Sequence, residues 1–378
     1  MLDFDTLRII WWVLLGILII GFAIMDGFDF GVAILLPLIT ENEIERRIVL
    51  DTILPFWEGN QVWIILGAGA IFAAWPIVYA VTFSSFYYLI LLLLLSMGIS
   101  RPVSFKYRSK LPNHFWRRFW DGIVFFGGFV PAILFGILIS NVITGFPFQF
   151  DHDLRLTVDS SWLDYLHPFS LWCAVTSLAM LIMHGGLYLA IKTNDPIRER
   201  AIAWSRTMAL ILIVLFAGGG LWIAFVLPGY SVSSPILINS FSNPLHKEVI
   251  LDQGAWMNNY HTHPLTMLVP CLGLLGAALA FVTANWGNSK LAFFCSSLSI
   301  AGIIGTVGVS LFPFILPSSS DLASSLLVWD ASSSQNTLFI MLIATVIFIP
   351  IILSYTSWVY YVLRGKVNKK RVEEDEKH

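Results

Sequence analysis

The sequence predicts an all-α polytopic membrane protein of about nine transmembrane helices, and three observations carry that prediction. Hydrophobic residues make up 57% of the 378-residue chain and charged residues 12%, against about 25% charge in soluble domains. The mean hydropathy is +0.77, and a soluble chain this apolar would expose large aggregating patches. Apolar runs long enough to cross a hydrocarbon core of roughly 30 Å recur along the whole length. Finally, Lys and Arg fall in alternate connecting loops, as they do when helices thread back and forth through a bilayer.

Residues 1–363 read as one integral-membrane domain, with spans near 9–39, 57–77, 79–100, 121–143, 166–192, 201–227, 264–285, 290–316 and 336–363; residues 364–378 read as a tail. The first run, Leu7 to Ile39, is far longer than a signal-peptide core of about 7–15 residues, so its helix is expected to stay in the protein. The second and third spans meet at Trp75-Pro76. Proline lacks the backbone N–H, so a tight turn is expected there, with a single kinked helix as the alternative. Gly218-Gly219-Gly220 in the sixth span would permit close helix approach. Two longer connections, 228–263 and 317–335, have room for structure of their own. The acidic end Glu373–His378 reads as a solvated terminus.

Orientation follows from the basic residues. Arg46 and Arg47 follow the first span; Arg101, Lys106, Arg108, Lys110, Arg117 and Arg118 follow the third. Lys192, Arg198 and Arg200 follow the fifth, Lys290 separates the seventh and eighth, and Arg364, Lys366, Lys369, Lys370 and Arg371 follow the ninth. The stretch 144–165 has four Asp against Arg155, and 318–335 has no Lys or Arg. This alternation predicts the N-terminus outside and the C-terminus in the cytoplasm.

Charged side chains inside spans are costly and mark functional candidates. Asp26 and Asp29 stand three residues apart in the first span and so share a helix face. Glu58 opens the second span, with Gln61 on its face. Topology puts all three carboxyls toward the cytoplasmic side, where they could form one polar cluster. Carboxyls in a low-dielectric site can exchange protons with water near neutral pH, which makes proton conduction the favoured chemistry. The alternatives are a structural knot, in which Asp26 and Asp29 cap a helix break or pair with Arg101, and an ion or ligand site.

His184, next to Gly185-Gly186 in the fifth span, is the candidate haem ligand. A haem site needs more than one imidazole in an apolar helix, and no second mid-span His exists, so a hydrogen-bonded core histidine is expected, satisfied by Tyr188 or a backbone carbonyl. His261 and His263 in a loop are not expected to bind metal. Cys173, Cys271 and Cys295 lie far apart in apolar runs with no metal or disulfide spacing and read as small buried hydrophobes. Trp11, Trp12, Trp75, Trp116, Trp120 and Trp358 fit interface belts. No phosphate loop is present, which disfavours an ATP-driven pump, and nothing points to nucleic acid.

Several blocks together resemble the subunit II family of cytochrome bd-type ubiquinol oxidases. They are Asp26-Gly27-Phe28-Asp29, Trp57-Glu58-Gly59-Asn60-Gln61-Val62-Trp63, Phe72-Ala73-Ala74-Trp75-Pro76 with Tyr79, and Arg101-Pro102 with Tyr107-Arg108. Further along come Ser242-Asn243-Pro244-Leu245, Gly254-Ala255-Trp256, Phe312-Pro313-Phe314, Pro317-Ser318-Ser319, and Trp329-Asp330 with Ser333-Ser334-Gln335. The blocks run in family order from end to end.

The resemblance implies two four-helix bundles plus one peripheral helix, although no internal repeat is visible. It implies a heterodimer with a haem-bearing subunit I, sometimes with a small single-helix accessory subunit, in the bacterial cytoplasmic membrane. The complex would oxidise quinol, reduce dioxygen to water and generate a proton-motive force. Haems b558, b595 and d would all be ligated by subunit I, leaving this chain haem-free, and some relatives hold a structural quinone here. Subunit II would supply a cytoplasmic proton-uptake route at the subunit interface, at Asp26, Asp29 and Glu58, supported by Trp57, Asn60, Gln61 and Arg101. The third acid is often Asp among relatives; Glu58 keeps the carboxyl on a longer arm. A secondary transporter and a non-catalytic scaffold for subunit I are the competing readings.

Overall fold

Asp3 starts the first helix by accepting from the backbone N–H of Thr6, one of the donors a helix start leaves free. In the computed structural model, which describes residues 2–158, 161–235 and 242–367, this helix runs Phe4–Ile39, interrupted once at Asp26. Lys369, Lys370, Arg371 and the acidic end Glu373–His378 lie outside the described residues. A short helix Glu43–Ile53, capped by Asn42, follows. The remaining long apolar helices are Trp57–Ala74, Tyr87–Tyr107, His114–Thr144, Pro168–Lys192, Ile197–Phe225, Pro264–Asn285, Ser289–Leu311 and Gln335–Val362.

Among the described residues, eight helices are long and apolar enough to cross a membrane, and nine when Trp57–Ala74 is counted with the helix bent from it. Two bonds show that Trp57–Ala74 reaches from one end of the bundle to the other. Asn60 in its first turn bonds to Tyr360 near the end of the last helix. Trp75 just past its last turn donates its indole N–H to Val328 O, 3.2 Å away in the opposite loops.

The junction at Trp75-Pro76 departs from the expected tight turn. Pro76 cannot donate a backbone bond and forces Trp75 out of helical geometry (φ −135°, ψ 72°). The chain then bends by 120° into a ten-residue helix, Pro76–Ser85. The third span therefore begins at Tyr87 rather than near residue 79, and it extends through Tyr107, so that Arg101 lies inside it. Residues 76–85 are apolar whether they cross the bilayer or lie along it, so composition alone misassigned them.

Pro168–Lys192, Ile197–Phe225, Pro264–Asn285 and Ser289–Leu311 each pack on two of the others and close a four-helix bundle. The other bundle is built from the first span, Trp57–Ala74, Tyr87–Tyr107 and His114–Thr144. The two join where Gly27–Ile39 and His114–Thr144 meet Pro168–Lys192. Gly31 and Gly185 face each other backbone to backbone at that seam, and a Cβ on either would collide with the opposing main chain. The Gly218-Gly219 pair instead seats the indole of Trp172. Gln335–Val362 is peripheral: it packs on the first span and Trp57–Ala74, and Leu338 is its only buried side chain.

The loops segregate by charge. One end of the molecule, the basic end, carries Glu43–Ile53 and the Arg108, Arg198 and Arg364 regions. There Arg108 is shared between Asp121 and Glu43. The opposite end carries three two-stranded antiparallel ribbons, 148–150 with 156–158, 228–232 with 249–253, and 314–316 with 326–327. A Lys247–Asp330 ion pair of 2.6 Å ties the two long connections together there.

Candidate functional site

The helix break at Asp26 sets the site. Asp26 still donates its backbone N–H to Phe22 O (2.9 Å), and the helix restarts at Gly27. Asp29 thus falls in the first turn of a new segment, where the helix dipole favours a carboxylate. Arg101 arrives from the third span through a π-helical stretch, Leu94–Ser100. That wider turn accommodates Pro102, which has no N–H to return to the preceding turn.

Asp26, Asp29, Asn60 and Arg101 are all essentially inaccessible to solvent. Arg101 Nη2 donates to both oxygens of Asp26, at 2.8 and 3.1 Å. Its guanidinium lies 4.8 Å over the ring of Phe30 and 6.0 Å over that of Trp57, and Trp57 packs on Phe105. Asp29 is held differently. Its Oδ2 accepts from Asn60 Nδ2 at 2.8 Å, while Oδ1 is buried with no donor. Asn60 Oδ1 in turn accepts from the Tyr360 hydroxyl at 2.6 Å.

The structure therefore brings together two of the three expected carboxyls, with Arg101 and Asn60. Glu58 does not join them: it lies on the exposed side of the same helical turn, two residues before the buried Asn60, and Gln61 is half-buried beside it. The pairing of Asp26 with Arg101 is the arrangement foreseen in the structural-knot alternative. Tyr360 was missed. It sits beside Tyr361 at the end of the last span, where tyrosines usually mark the membrane interface, and nothing in its local sequence points to a partner 300 residues away.

His184 is a satisfied core residue. Its Nδ1 lies 2.7 Å from Ser296 Oγ and its Nε2 3.0 Å from Ile24 O, and its ring stacks on Phe293 with centroids 4.4 Å apart. The backbone-carbonyl expectation holds; Tyr188 is engaged elsewhere, donating to Thr52 O. With both nitrogens bonded, the ring cannot ligate iron without breaking this arrangement. Among the described residues, no group of three or more His, Cys, Asp or Glu could hold a metal ion.

Comparison with known proteins agrees with this architecture. The family model described as cytochrome bd terminal oxidase subunit II matches residues 7–363. The chain is 44% identical over 375 residues to the probable cytochrome oxidase subunit 2 of Haemophilus influenzae, covering 99% of each chain. It is 43% identical over 373 residues to the cytochrome bd-I ubiquinol oxidase subunit 2 of Escherichia coli K12, covering 99% of this chain and 98% of that one. A chain in the structure of bd oxidase from Geobacillus thermodenitrificans shares the fold at a TM-score of 0.67 and 14% identity, over 95% of this chain and 98% of that one. These full-length matches displace the transporter reading, and the chain belongs to the cytochrome bd terminal oxidase subunit II family.

Proposed function

We propose that this chain is the haem-free subunit II of a bd-type ubiquinol oxidase in the bacterial cytoplasmic membrane. In this reading it pairs with a haem-bearing subunit I, stabilises it, and carries protons to it from the cytoplasm. The basic end of the molecule faces the cytoplasm by the positive-inside rule. Reduction of dioxygen to water consumes one proton per electron, and drawing those protons from the cytoplasm generates a proton-motive force. The haems b558, b595 and d belong to subunit I; there they would supply the electron transfer and oxygen chemistry. An accessory single-helix subunit is compatible with the peripheral position of the last helix.

The observation that carries the proton reading is the state of Asp29. One of its oxygens is held by Asn60, and the other is buried without a donor. A buried carboxylate oxygen with no donor is costly, whereas the same oxygen bearing a proton can donate to the neighbouring Asp26. Asp26 is paired with Arg101 at 2.8 Å, and that pair sets the local field. Glu58, exposed on the same helical turn as the buried Asn60, is the entry and interface acid, flanked by Trp57 and Gln61. A groove of about 320 Å³ bordered by Ile34, Phe129, Trp204 and Met208 has almost wholly apolar walls. It suits an acyl or isoprenoid chain, and it offers the oxygens of a structural quinone ring nothing to bond to.

The test is quinol-dependent oxygen uptake per haem in the assembled complex. An amide keeps the shape of a carboxyl but cannot titrate. Asp29→Asn and Glu58→Gln are expected to lower turnover by about tenfold each, with haem content unchanged. Glu58→Asp should retain most of the activity. Under the scaffold reading, the amide variants would instead lower the yield of complex and leave turnover per haem intact.

A further inference from the structure

Tyr360 reaches the buried acids from a helix that otherwise barely touches the bundle. Gln335–Val362 is fastened by polar bonds near its two ends. At one, Gln335 Nε2 donates to Leu2 O at 2.8 Å and the Trp11 indole donates to Leu338 O at 2.9 Å; at the other, the Tyr360 hydroxyl donates to Asn60 Oδ1 at 2.6 Å. The Tyr360 ring is stacked on Phe56, with centroids 4.5 Å apart and planes 17° from parallel. The stack fixes the direction of the hydroxyl.

The chemistry of the amide gives this bond its consequence. Asn60 has an accepting oxygen and a donating nitrogen at opposite edges of one planar group. With the oxygen engaged by Tyr360, the nitrogen must face Asp29, where it holds Oδ2. Without the hydroxyl, the amide is free to turn when Asp29 is protonated and to present its oxygen to the proton that Asp29 carries. An amide does not titrate, so the Tyr360–Asn60 chain orients and does not conduct.

We infer that Tyr360 is a positioning residue for Asp29: through Asn60 it fixes one carboxyl oxygen and leaves the other as the oxygen that takes up and releases the proton. This rests on the reading of Asp29 as a proton carrier. It makes the peripheral last helix a functional part of the site.

The test uses the whole chain in the assembled oxidase. Tyr360→Phe removes the hydroxyl and keeps the stacked ring. Turnover per haem is expected to fall about tenfold, as for a misplaced reacting group, with the KM for quinol unchanged and the pH profile of turnover altered. Asn60→Ala should reproduce the effect. In an Asp29→Asn background, Tyr360→Phe should cause no further loss, because the group it positions no longer titrates. Full turnover of Tyr360→Phe beside a slow Asp29→Asn overturns the inference alone. So does an equal fractional loss in both backgrounds, or a loss of assembled complex without a change in turnover per haem. Full turnover of Asp29→Asn overturns the proton reading itself, and the inference falls with it.

Discussion

Asp26 and Asp29 stand one helical turn apart, yet they are held by different partners. Asp26 is half of a fully buried ion pair, and its partner Arg101 has its remaining guanidinium nitrogens, Nε and Nη1, buried without acceptors. Removing one partner of such a pair strands the other charge, at a cost of about 3–5 kcal/mol. Arg101→Leu is therefore expected to lower the yield of folded complex sharply, whereas Arg101→Leu combined with Asp26→Leu should recover much of it; equal yields for the single and double variants would count against the pair as the structural anchor. His184→Gln should leave the reduced-minus-oxidised spectrum of the complex intact, since its ring bonds to Ser296 and Ile24. Loss of one haem band would contradict that. The acids and Arg101 were legible in the sequence because charge inside an apolar run is conspicuous. Asp29 and Tyr360 were not legible as a linked pair. Their connection runs through Asn60 and depends on how two helices distant in sequence are packed.

At the scale of elements, periodicity and length located nearly every helix, and charge placed most of the loops. Pro76–Ser85 was misassigned, because an apolar decapeptide reads alike whether it crosses a bilayer or turns along its surface, and the span expected over 290–316 ran too far, since its helix ends at Leu311 and the apolar Phe314–Leu316 forms a ribbon strand. The short helix Glu43–Ile53 fell in a loop, as its charges suggested, but its role is visible only in three dimensions. Glu45 on that helix accepts from Arg200 at 2.9 and 3.0 Å, and Arg200 also donates to Ile39 O, so one clasp joins the end of the first span, the short helix and the start of the sixth span. Burial pushes the Glu45 carboxyl up, but the bonds from Arg200, from the Glu41 backbone N–H and from Asn42 outweigh it and hold it below the ordinary glutamate range. A carboxyl lowered in the folded state stabilises above its unfolded value of about 4.3 and loses that contribution as the pH falls through the folded value. Glu45→Gln should therefore cost about 1 kcal/mol at neutral pH, a modest figure for a partly exposed pair. Thermal denaturation of the purified complex across pH 7 to 3 should show the gap to the wild type closing toward the acid end. A gap that does not change with pH would rule the clasp out as its source.

For the whole molecule, the distribution of charge over the two ends is the property from which an orientation is predicted. At the ribbon-bearing end, the described residues include three basic side chains, and two are consumed internally. Arg8 donates to Ser332 Oγ at 2.6 Å and lies over the ring of Phe4; Lys247 is paired with Asp330. The opposite end carries the remaining loop arginines and lysines among the described residues. An odd number of crossings puts the termini on opposite sides, and Trp57–Ala74 decides the parity, since its first turn bonds to the end of the last helix and Trp75 to the far loops. Counted as a re-entrant hairpin, it would leave eight crossings and both termini on one side. Counted as a span, it gives nine, with the basic end inside by the Lys/Arg bias. A fluorescent protein fused to the C-terminus should therefore glow in the cytoplasm, and alkaline phosphatase fused after Pro317 should be active outside. Pro317 adjoins the ribbon strand Phe314–Leu316, so the fusion reports the end that holds Trp75 and Val328. Inactive phosphatase there, in a fusion that accumulates normally, would turn the molecule over and put the Asp29 site at the wrong face for cytoplasmic proton uptake.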